Sequence, residues 1–256
     1  MQHAPHSTRD AHPELWVCHL GIVDYRDAVE LQERIRAARQ RNLLPDVLLM
    51  LEHWPVYTRG RRSAQGELPV GEHSIEIVQT NRGGKLTYHG PGQLVGYPIV
   101  AVEDVVAYVR ALERTLVAAL LEEGISARAR PQEGPDFTGV WVGERKIASI
   151  GVHVARGVAT HGFAVNVEND LQPFAWIVPC GLHGVQMTSI VRQTGRPQGQ
   201  MTCFRRRAAW HLAQALGRRQ RLVTLARVES IAGTAVPARH DTPAASIPVR
   251  AILGPR

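Results

Sequence analysis

Lys146 is one of only two lysines in a chain of 256 residues that carries 28 arginines. Arginine stays protonated in proteins, whereas a lysine amine can release and regain a proton when burial disfavours its charged form. A chain that takes arginine for nearly all of its positive charge is therefore expected to use lysine where a proton is exchanged. The alternative is a hairpin lysine whose amine reaches the solvent, and the residue type alone favours neither.

Cys180 is the candidate partner of that amine, because it stands between Pro179 and Gly181 in the stretch IVPCGLHG. Proline and glycine on either side favour a sharp bend that exposes the thiol. A thiol becomes a nucleophile when a nearby base or positive charge favours the thiolate. A lysine amine that faces this thiol would therefore support nucleophilic catalysis.

The three cysteines show no repeated spacing and their number is odd, which predicts free thiols rather than a disulfide framework. Cys18, in an apolar strand, and Cys203, at the start of a helix, are predicted to be small buried hydrophobic residues. Zinc binding by Cys180 and His183 is disfavoured, because no second pair of ligands at metal spacing is present.

A glycine-rich stretch, NRGGKLTYHGPGQLVGYPI at 81–99, combines tight turns with polar and aromatic side chains. This combination predicts a loop that contacts a ligand, whereas a purely structural turn rarely needs so many functional side chains. An ATP-binding phosphate loop is not supported, because Lys85 is followed by Leu86 rather than by serine or threonine.

The stretch KIASIGVHV at 146–154 predicts a strand. Strict alternation would place Lys146 on the same, more apolar face as Ala148 and Ile150, with Ser149 on the opposite face. An amine rooted on an apolar face loses part of its hydration, which favours proton exchange.

The elements that must position these residues follow a mixed order without a regular βαβ repeat, which predicts an α+β fold with mixed sheets and flanking helices. Strands are predicted at 15–25, 46–53, 138–142, 146–154 and 160–167, and helices at 27–40, 102–124 and 202–216. Gly124 is predicted to end the second helix as its C-cap.

The net charge of +7 is a property of the C-terminal segment. Residues 201–256 carry ten arginines against Glu229 and Asp241, or +8, whereas residues 1–200 carry 20 basic and 21 acidic groups, or −1. The arginines lack aromatic interleaving and the spacing of known DNA-binding motifs, so no nucleic acid is expected as a partner. A solvated helix face or a surface for an acidic protein is favoured instead.

No stretch of the chain approaches the roughly 18 to 20 uncharged apolar residues of a membrane helix. The N-terminus, MQHAPHSTRDAHPELW, also lacks the apolar centre of a signal peptide. The sequence therefore predicts a cytoplasmic protein without a membrane partner.

Four segments in this order closely resemble the octanoyltransferase family of lipoate biosynthesis: RGGKLTYHGPGQLVGYPI, GVWVGERKIASIGVHV, THGFAVNV and IVPCGLHGVQMTSI. The stretches GIVDYRDAVELQ and LLMLEHWPVYTRGRR look like the opening strand, helix and second strand of that family. The resemblance implies one catalytic domain at 15–217, similar in fold to the catalytic module of biotin and lipoate protein ligases. Residues 1–14 would be an N-terminal extension and 218–256 a basic, flexible tail.

The resemblance implies transfer of an octanoyl group from octanoyl-acyl carrier protein to a lysine of lipoyl domains. The acceptors would be the E2 subunits of 2-oxoacid dehydrogenases and the H protein of glycine cleavage. Cys180 would carry the acyl group as a thioester, and Lys146 would be its catalytic partner. No cofactor and no metal are expected, because the donor thioester is already activated, and the family likeness implies a monomer.

The resemblance also implies a substrate pocket. Its expected residues are Arg82, Gly83, Gly84, Lys85, Leu86, Thr87, Tyr88, His89, Ser149, Ile150, Gly151, Gly162, Phe163 and Ala164. Phe163, Leu86 and Val95 are candidates to line the acyl chain. The stretch RGRRSA at 59–64 departs from the family, since many relatives carry Gly-Lys there.

Two other functions remain open on the sequence. The first is an ATP-dependent lipoate or biotin ligase on a similar scaffold, which would have no use for Cys180. The second is a non-catalytic acyl-binding or carrier-binding protein whose basic C-terminal segment docks acidic partners.

Overall fold

The computed structural model of the chain describes residues 13–63, 74–177, 184–196 and 199–233. Within these ranges an eight-stranded sheet and a three-stranded sheet are flanked by helices. The predicted α+β architecture is confirmed.

The strands are β1 (Glu14–Val23), β2 (Asp46–His53), β3 (Val56–Arg59), β4 (Glu76–Gln79), β5 (Leu86–His89), β6 (Gln93–Ile99), β7 (Arg128–Ala129), β8 (Gly139–Val142), β9 (Arg145–Ala155), β10 (Val158–Asn166) and β11 (Arg219–Leu222). The helices are α1 (Tyr25–Gln40), α2 (Val105–Leu121), α3 (Ile190–Thr194), α4 (Met201–Ala215) and α5 (Leu225–Ala232). The large sheet has the order β11-β1-β2-β6-β10-β9-β8-β7, and the small sheet has the order β4-β3-β5. In the large sheet β1 runs parallel to β11 and β2, and the remaining pairs are antiparallel.

Both faces of the large sheet are buried, which explains the apolar run of β2. Leu48 and Met50 pack into the core beneath α2 and α4, whereas Val47, Leu49 and Leu51 pack into a second core beneath α1. A central strand covered on both sides shows continuous apolar sequence instead of alternation.

The three predicted helices are confirmed, and two of them, α1 and α2, begin at a capping aspartate. Asp24 accepts hydrogen bonds from the first turn of α1, and Asp104 accepts them from the amides of Val106 (2.8 Å) and Ala107 (3.0 Å). This cap makes α2 begin at Val105 rather than at residue 102. Gly124 adopts a left-handed φ of 79°, but it lies two residues beyond the C-cap.

The expected boundary at residue 217 is wrong for the part of the tail that the structure describes. After Gly217 the chain forms β11, which pairs with β1, and then α5. Val228 of α5 is fully buried against the α1 side of the sheet. The sequence signal was weak because β11 is short, exposed and rich in arginine; residues 234–256 lie outside the described ranges.

No helix in the described ranges combines the length and the apolar character needed to cross a bilayer.

The C-terminal elements are tied to the sheet by a buried carboxylate. Asp46, at the start of β2, accepts hydrogen bonds from Arg39 Nε (2.8 Å) and Arg218 Nε (2.9 Å). It also accepts one from the backbone amide of Ala101 at 3.2 Å. One side chain therefore joins the end of α1, the segment after α4 and the segment just after β6.

We expect Asp46→Ala to lower the free energy of unfolding by about 2 to 4 kcal/mol, because it leaves two guanidinium groups without their buried acceptor. Urea denaturation monitored by circular dichroism measures the change. The control is Glu76→Ala, which removes a pair with Arg26 that is half exposed, and there we expect less than about 1 kcal/mol. Equal effects of the two substitutions would contradict the anchoring role of Asp46.

Candidate active site

A cavity of about 290 Å³ lies between the two sheets. Its walls come from β5, β6, β9 and β10, from the start of α2 and from the loop that precedes β5. This volume is at the lower end of the roughly 300 to 1,000 Å³ that is usual for ligand pockets. The site is therefore sized for a slender ligand.

The expected pocket residues line this cavity, with two exceptions. Thr87 and His89 of β5 contribute to the wall, whereas Leu86 and Tyr88 point to the other face of the strand and pack near Phe174. Alternation along a strand allows only every second side chain to reach one cavity. The prediction that Leu86 lines the acyl chain is therefore wrong, because Leu86 does not border the cavity.

Lys146 lies in the cavity wall with only 1% of its surface exposed. Its Nζ is 5.1 Å from the centroid of the Trp141 ring, a distance at which a cation and an aromatic face attract each other. The alternative of a hairpin lysine whose amine reaches the solvent is thereby excluded.

A β-bulge aims Lys146 into the cavity. Val140 pairs with Ala148 and Trp141 pairs with Lys146, so Ile147 is an extra residue on β9. Ile147 consequently enters the same core as Ala148. The predicted alternation is wrong at this point, because the bulge separates Lys146 from the apolar face that continues along β9.

Gly139 of β8 provides the space that the lysine side chain occupies. A Cβ on Gly139 would lie 2.8 Å from Cε of Lys146 and 2.4 Å from the carbonyl oxygen of Ala148. Its φ of 135° also disfavours any other residue. The amide of Gly139 donates to Oε1 of the buried Glu113 at 3.2 Å, which ties this strand to α2.

Cys180, together with Pro179, Gly181 and His183, lies outside the described residues. The chain is described again from Gly184, and its next segment runs beside β9. The amide of Lys146 donates to the carbonyl of Gln186, and the amide of Thr188 donates to the carbonyl of Lys146, both at 2.9 Å. Since Gln186 follows Cys180 by six positions in the sequence, the segment after the cysteine is hydrogen-bonded to the lysine's own backbone.

Arg82 organises the glycine-rich loop from within. Its guanidinium, which is largely buried, donates to the carbonyl oxygens of Thr58 (2.6 Å), Lys85 (2.8 Å) and Gly83 (2.9 Å). These bonds join the loop to β3, so Arg82 determines the shape of this wall. The sequence predicted Arg82 only as a residue that contacts a ligand.

Two buried histidines, His89 and His161, lie within the influence of the charge of Arg82, and a third, His53, packs against His89. Burial lowers the pKa of His53 to about 4 and, with help from the charge of Arg82, the pKa of His161 to about 3. The pKa of His89 is lowered well below its usual value by burial and by the charges of His53 and Arg82. The imidazoles are therefore neutral at pH 7, and Arg82 is the fixed charge of this group.

Hydrogen bonds hold these rings in place. His53 Nε2 is 2.7 Å from the hydroxyl of Tyr97, and His161 Nε2 is 2.7 Å from Oδ1 of Asn81. His161 has a left-handed φ of 56°, an uncommon conformation for a residue other than glycine. A constrained backbone of this kind is typical of functional sites.

Several wall residues were not anticipated. They are Tyr25, Arg62, Tyr97, Val105, Val109, Pro135, Asp136, Thr138, Val152 and His161. His161 directly precedes the expected Gly162, and Tyr97 lies within the glycine-rich stretch. Both could therefore have been predicted from their proximity in sequence to expected pocket residues. The start of α2 carried no such signal, because only the tertiary fold brings it to the cavity.

The cavity rim carries a small ion-pair cluster. Asp136 pairs with Arg62 (Nη1 to Oδ1, 3.0 Å) and with Lys85 (Nζ to Oδ2, 3.3 Å). Arg62, which belongs to the stretch that departs from the family, is thus joined to the glycine-rich loop through one carboxylate.

The other two cysteines differ from each other. Cys18 is 1% exposed, as predicted, and burial raises the pKa of its thiol to about 11. Cys203 is exposed, which contradicts the prediction, because Phe204 and Ala208 carry the buried face of α4. Both thiols are free.

Residues 24–210 match the family model of the lipoyl protein ligase A/B catalytic domain. The octanoyltransferase of Solibacter usitatus (strain Ellin6076) is 51% identical over 172 residues, which cover 64% of this chain and 76% of that protein. The octanoyltransferase of Rhodococcus opacus (strain B4) is 43% identical over 205 residues, which cover 77% of this chain and 79% of that protein. The chain belongs to the octanoyltransferase family. It is accordingly an acyltransferase, and the resemblance drawn from the motifs is confirmed.

A solved bipartite lipoate protein ligase, from an archaeal lipoylation system of Thermoplasma acidophilum, has the same fold as this member of the octanoyltransferase family. The TM-score is 0.63 at 17% identity, covering 87% of this chain and 91% of the other. The predicted likeness to the ligase catalytic module is confirmed as a likeness of fold.

The buried histidines predict a dependence of stability on pH. In the unfolded chain an imidazole titrates near pH 6.5, whereas in the folded protein His53 and His161 titrate at about 4 and 3. Below pH 6.5 the unfolded state therefore binds more protons, and stability falls as the pH falls. We expect the free energy of unfolding to decrease between about pH 7 and pH 5, by up to about 1.4 kcal/mol per pH unit for each such histidine.

The variant His161→Asn tests how much one imidazole contributes to the pH dependence of stability. Asparagine tolerates the left-handed backbone but does not titrate. Urea unfolding at several pH values should give a smaller pH slope for the variant than for the wild type. An unchanged slope would contradict the assignment of His161 as a neutral, buried imidazole.

Proposed function

We propose that the chain transfers an octanoyl group from octanoyl-acyl carrier protein to a lysine of lipoyl domains, through a thioester on Cys180. The acceptors are the E2 subunits of 2-oxoacid dehydrogenases and the H protein of glycine cleavage. One observation carries the proposal: the segment that follows Cys180 is hydrogen-bonded to Lys146, whose buried side chain lines the cavity of an octanoyltransferase-family chain.

The cavity suits a linear acyl chain. Val95, Ile150 and Phe163 provide apolar wall. Gly96 and Gly162 lie on the neighbouring strands β6 and β10 and leave room there, because a Cβ on Gly96 would lie 2.2 Å from Cζ of Phe163 and one on Gly162 would lie 2.3 Å from the carbonyl oxygen of Gly96. The cavity wall is thus apolar at Val95, Ile150 and Phe163 and also includes the neutral rings of His89 and His161.

In the first half-reaction Lys146 takes the proton of the Cys180 thiol, and the thiolate attacks the carbonyl carbon of the octanoyl thioester. The tetrahedral oxyanion is held by backbone amides of β9 at Ser149 to Gly151. Pairing between β8 and β9 ends at Ser149, and Ser149, Ile150 and Gly151 all line the cavity. The bond to the carrier's sulfur then breaks, and the leaving thiolate takes the proton back from Lys146.

In the second half-reaction the neutral amine of the acceptor lysine attacks the Cys180 thioester. The amide bond forms as the carbon–sulfur bond breaks, and Lys146 or the returning thiolate accepts the proton of the amine. Lys146 thus carries a proton in both directions, which an arginine could not do.

An ATP-dependent ligase on the same fold would activate a free acid and would not acylate Cys180. The decisive experiment mixes the protein with octanoyl-acyl carrier protein, without ATP or added metal, and records the intact mass followed by peptide mapping. We expect an octanoyl adduct on Cys180 that disappears when an apo lipoyl domain is added. Transfer that appears only with octanoate and ATP would overturn the proposal.

Cys180→Ser is the matched variant for that experiment. It should form no stable thioester and should transfer no octanoyl group, whereas Cys203→Ser, at an exposed thiol remote from the cavity, should behave as the wild type. Turnover by Cys180→Ser would remove Cys180 as the nucleophile.

Two substitutions of Lys146 distinguish the role of its positive charge from its role in proton exchange. Lys146→Met removes the amine while keeping the length of the side chain, and Lys146→Arg keeps the charge but forbids proton exchange. We expect both to lower kcat by roughly 100-fold or more, the usual size of a lost acid–base contribution. Steady-state kinetics checks this, and thermal unfolding checks that each variant is folded. Activity of folded Lys146→Arg near the wild-type value would contradict the acid–base role.

A further inference from the structure

A second concave surface, of about 760 Å³, lies at the end of α2 away from the active-site cavity. We call it the basic groove, and its defining residues are His19, Arg205, Arg206, Arg207, Trp210 and Leu222. They come from β1, α4 and the edge strand β11. The mechanism proposed above does not use any of them.

The groove carries uncompensated positive charge. Arg207 is neutralised by Glu122 (3.0 Å) and Glu123. Arg205 and Arg206, by contrast, form no ion pair with any residue in the described ranges. Burial and the charges of these two arginines lower the pKa of His19, so the imidazole adds no charge at pH 7.

Apolar side chains border these arginines. Trp210 is 50% exposed and Leu222 is 65% exposed. A site for a small anion has no use for a half-exposed tryptophan, whereas tryptophan beside arginine is typical of the energetic centre of protein–protein interfaces. The groove therefore fits a protein whose contacting face is acidic.

The distance from the cavity decides which protein substrate can use the groove. Val109 of α2 lines the cavity and Glu122, just beyond the end of α2, lines the groove. The thirteen residue steps between them span about 20 Å at the helical rise. An acceptor lysine reaches a thioester only by its four-carbon stem, so its domain must sit at the cavity rim. An acyl carrier delivers its group on a long flexible phosphopantetheine arm and can sit farther away.

We infer that the basic groove docks an acidic face of the acyl carrier protein that donates the octanoyl group, with Arg205 and Arg206 as its principal charges. This inference rests on the proposed function and extends it by naming the surface to which the donor protein binds. Because Arg206 is exposed and Arg205 is partly exposed, their charges mainly raise the rate of productive encounter, and their effect is screened by salt.

The double variant Arg205→Glu/Arg206→Glu tests the inference with two donors. One is octanoyl-acyl carrier protein, and the other is octanoyl-pantetheine, which has the arm's reactive end but no protein. We expect kcat/KM for the carrier to fall by about 10-fold or more at low salt, mainly through KM, with a weaker salt dependence than in the wild type. The value for octanoyl-pantetheine should not change.

The control variant is Arg41→Glu/Arg156→Asp. Both arginines are exposed, and they lie near each other on a different surface, since the side chain of Gln40 bonds to the carbonyl of Ala155. The substitutions change the net charge by the same amount, so both kinetic values should stay at the wild-type level. An equal loss in the control would show a general charge effect and overturn the inference.

The outcomes separate failure of this inference from failure of the proposed function. If the wild type acylates Cys180 from both donors but the groove variant is unaffected, the groove is not the docking site and the proposed function stands. Loss of turnover with octanoyl-pantetheine as well would mean structural damage to the active site, which also overturns the inference. If the wild type forms no acyl-enzyme from either donor, the proposed function itself fails.

Cross-linking gives an independent test that does not depend on turnover. Cys203 is exposed in the groove, so a photoreactive maleimide can be attached there in a Cys180→Ser background. We expect light-induced cross-links to acyl carrier protein that decrease with salt and with Arg205→Glu/Arg206→Glu. Cross-links to the lipoyl domain instead, or retention of duplex DNA with no cross-link to the carrier, would overturn the assignment.

Discussion

Burial of the Lys146 side chain is the constraint on which the rest of the site depends. A lysine amine that is almost wholly removed from water must be compensated by nearby polar or aromatic groups. Here the bulge in β9 turns the side chain out of the apolar core, the face of Trp141 lies beside the amine, and Gly139 leaves the necessary space. The backbone of Lys146 is fixed at the same time by Gln186 and Thr188. The proposed base is thereby positioned by the same hydrogen bonds that hold the segment after the cysteine.

The polar wall of the cavity, unlike Lys146, consists mainly of groups that are neutral or bonded within the wall. Neutral imidazoles and tyrosine hydroxyls form hydrogen bonds without adding charge, and the guanidinium of Arg82 donates to carbonyl oxygens of its own loop and of strand β3. A wall of this kind provides shape and rigidity to an apolar cavity and adds little charge that would compete with the proton exchange of Lys146. The cost appears as lower stability in acid, because each buried imidazole prefers the unfolded state once it can be protonated.

Under the proposed function, two protein substrates present their reacting groups to one small cavity. An acceptor lysine, with its short side chain, would approach at the cavity rim, which carries the ion pairs around Asp136. The inferred docking role of the basic groove would give the donor, with its long arm, a separate place at the far end of α2. Two spatially separate docking areas would allow the enzyme to exchange donor and acceptor without both competing for the same contacts.

The sequence by itself determined the α+β class, five of the eleven described strands, the three longest helices, the family and most of the cavity wall, because long motifs with strong apolar patterns and functional residues lie in contiguous stretches. Only the tertiary structure decided which side chains face the cavity. A one-residue bulge at Ile147 reverses a predicted face, and alternation along β5 turns Leu86 and Tyr88 away. Local patterns cannot reveal a shift of register, which depends on the partner strand. For the same reason β11 and α5 were missed: their stability comes from contacts with β1 and α1, which are remote in sequence.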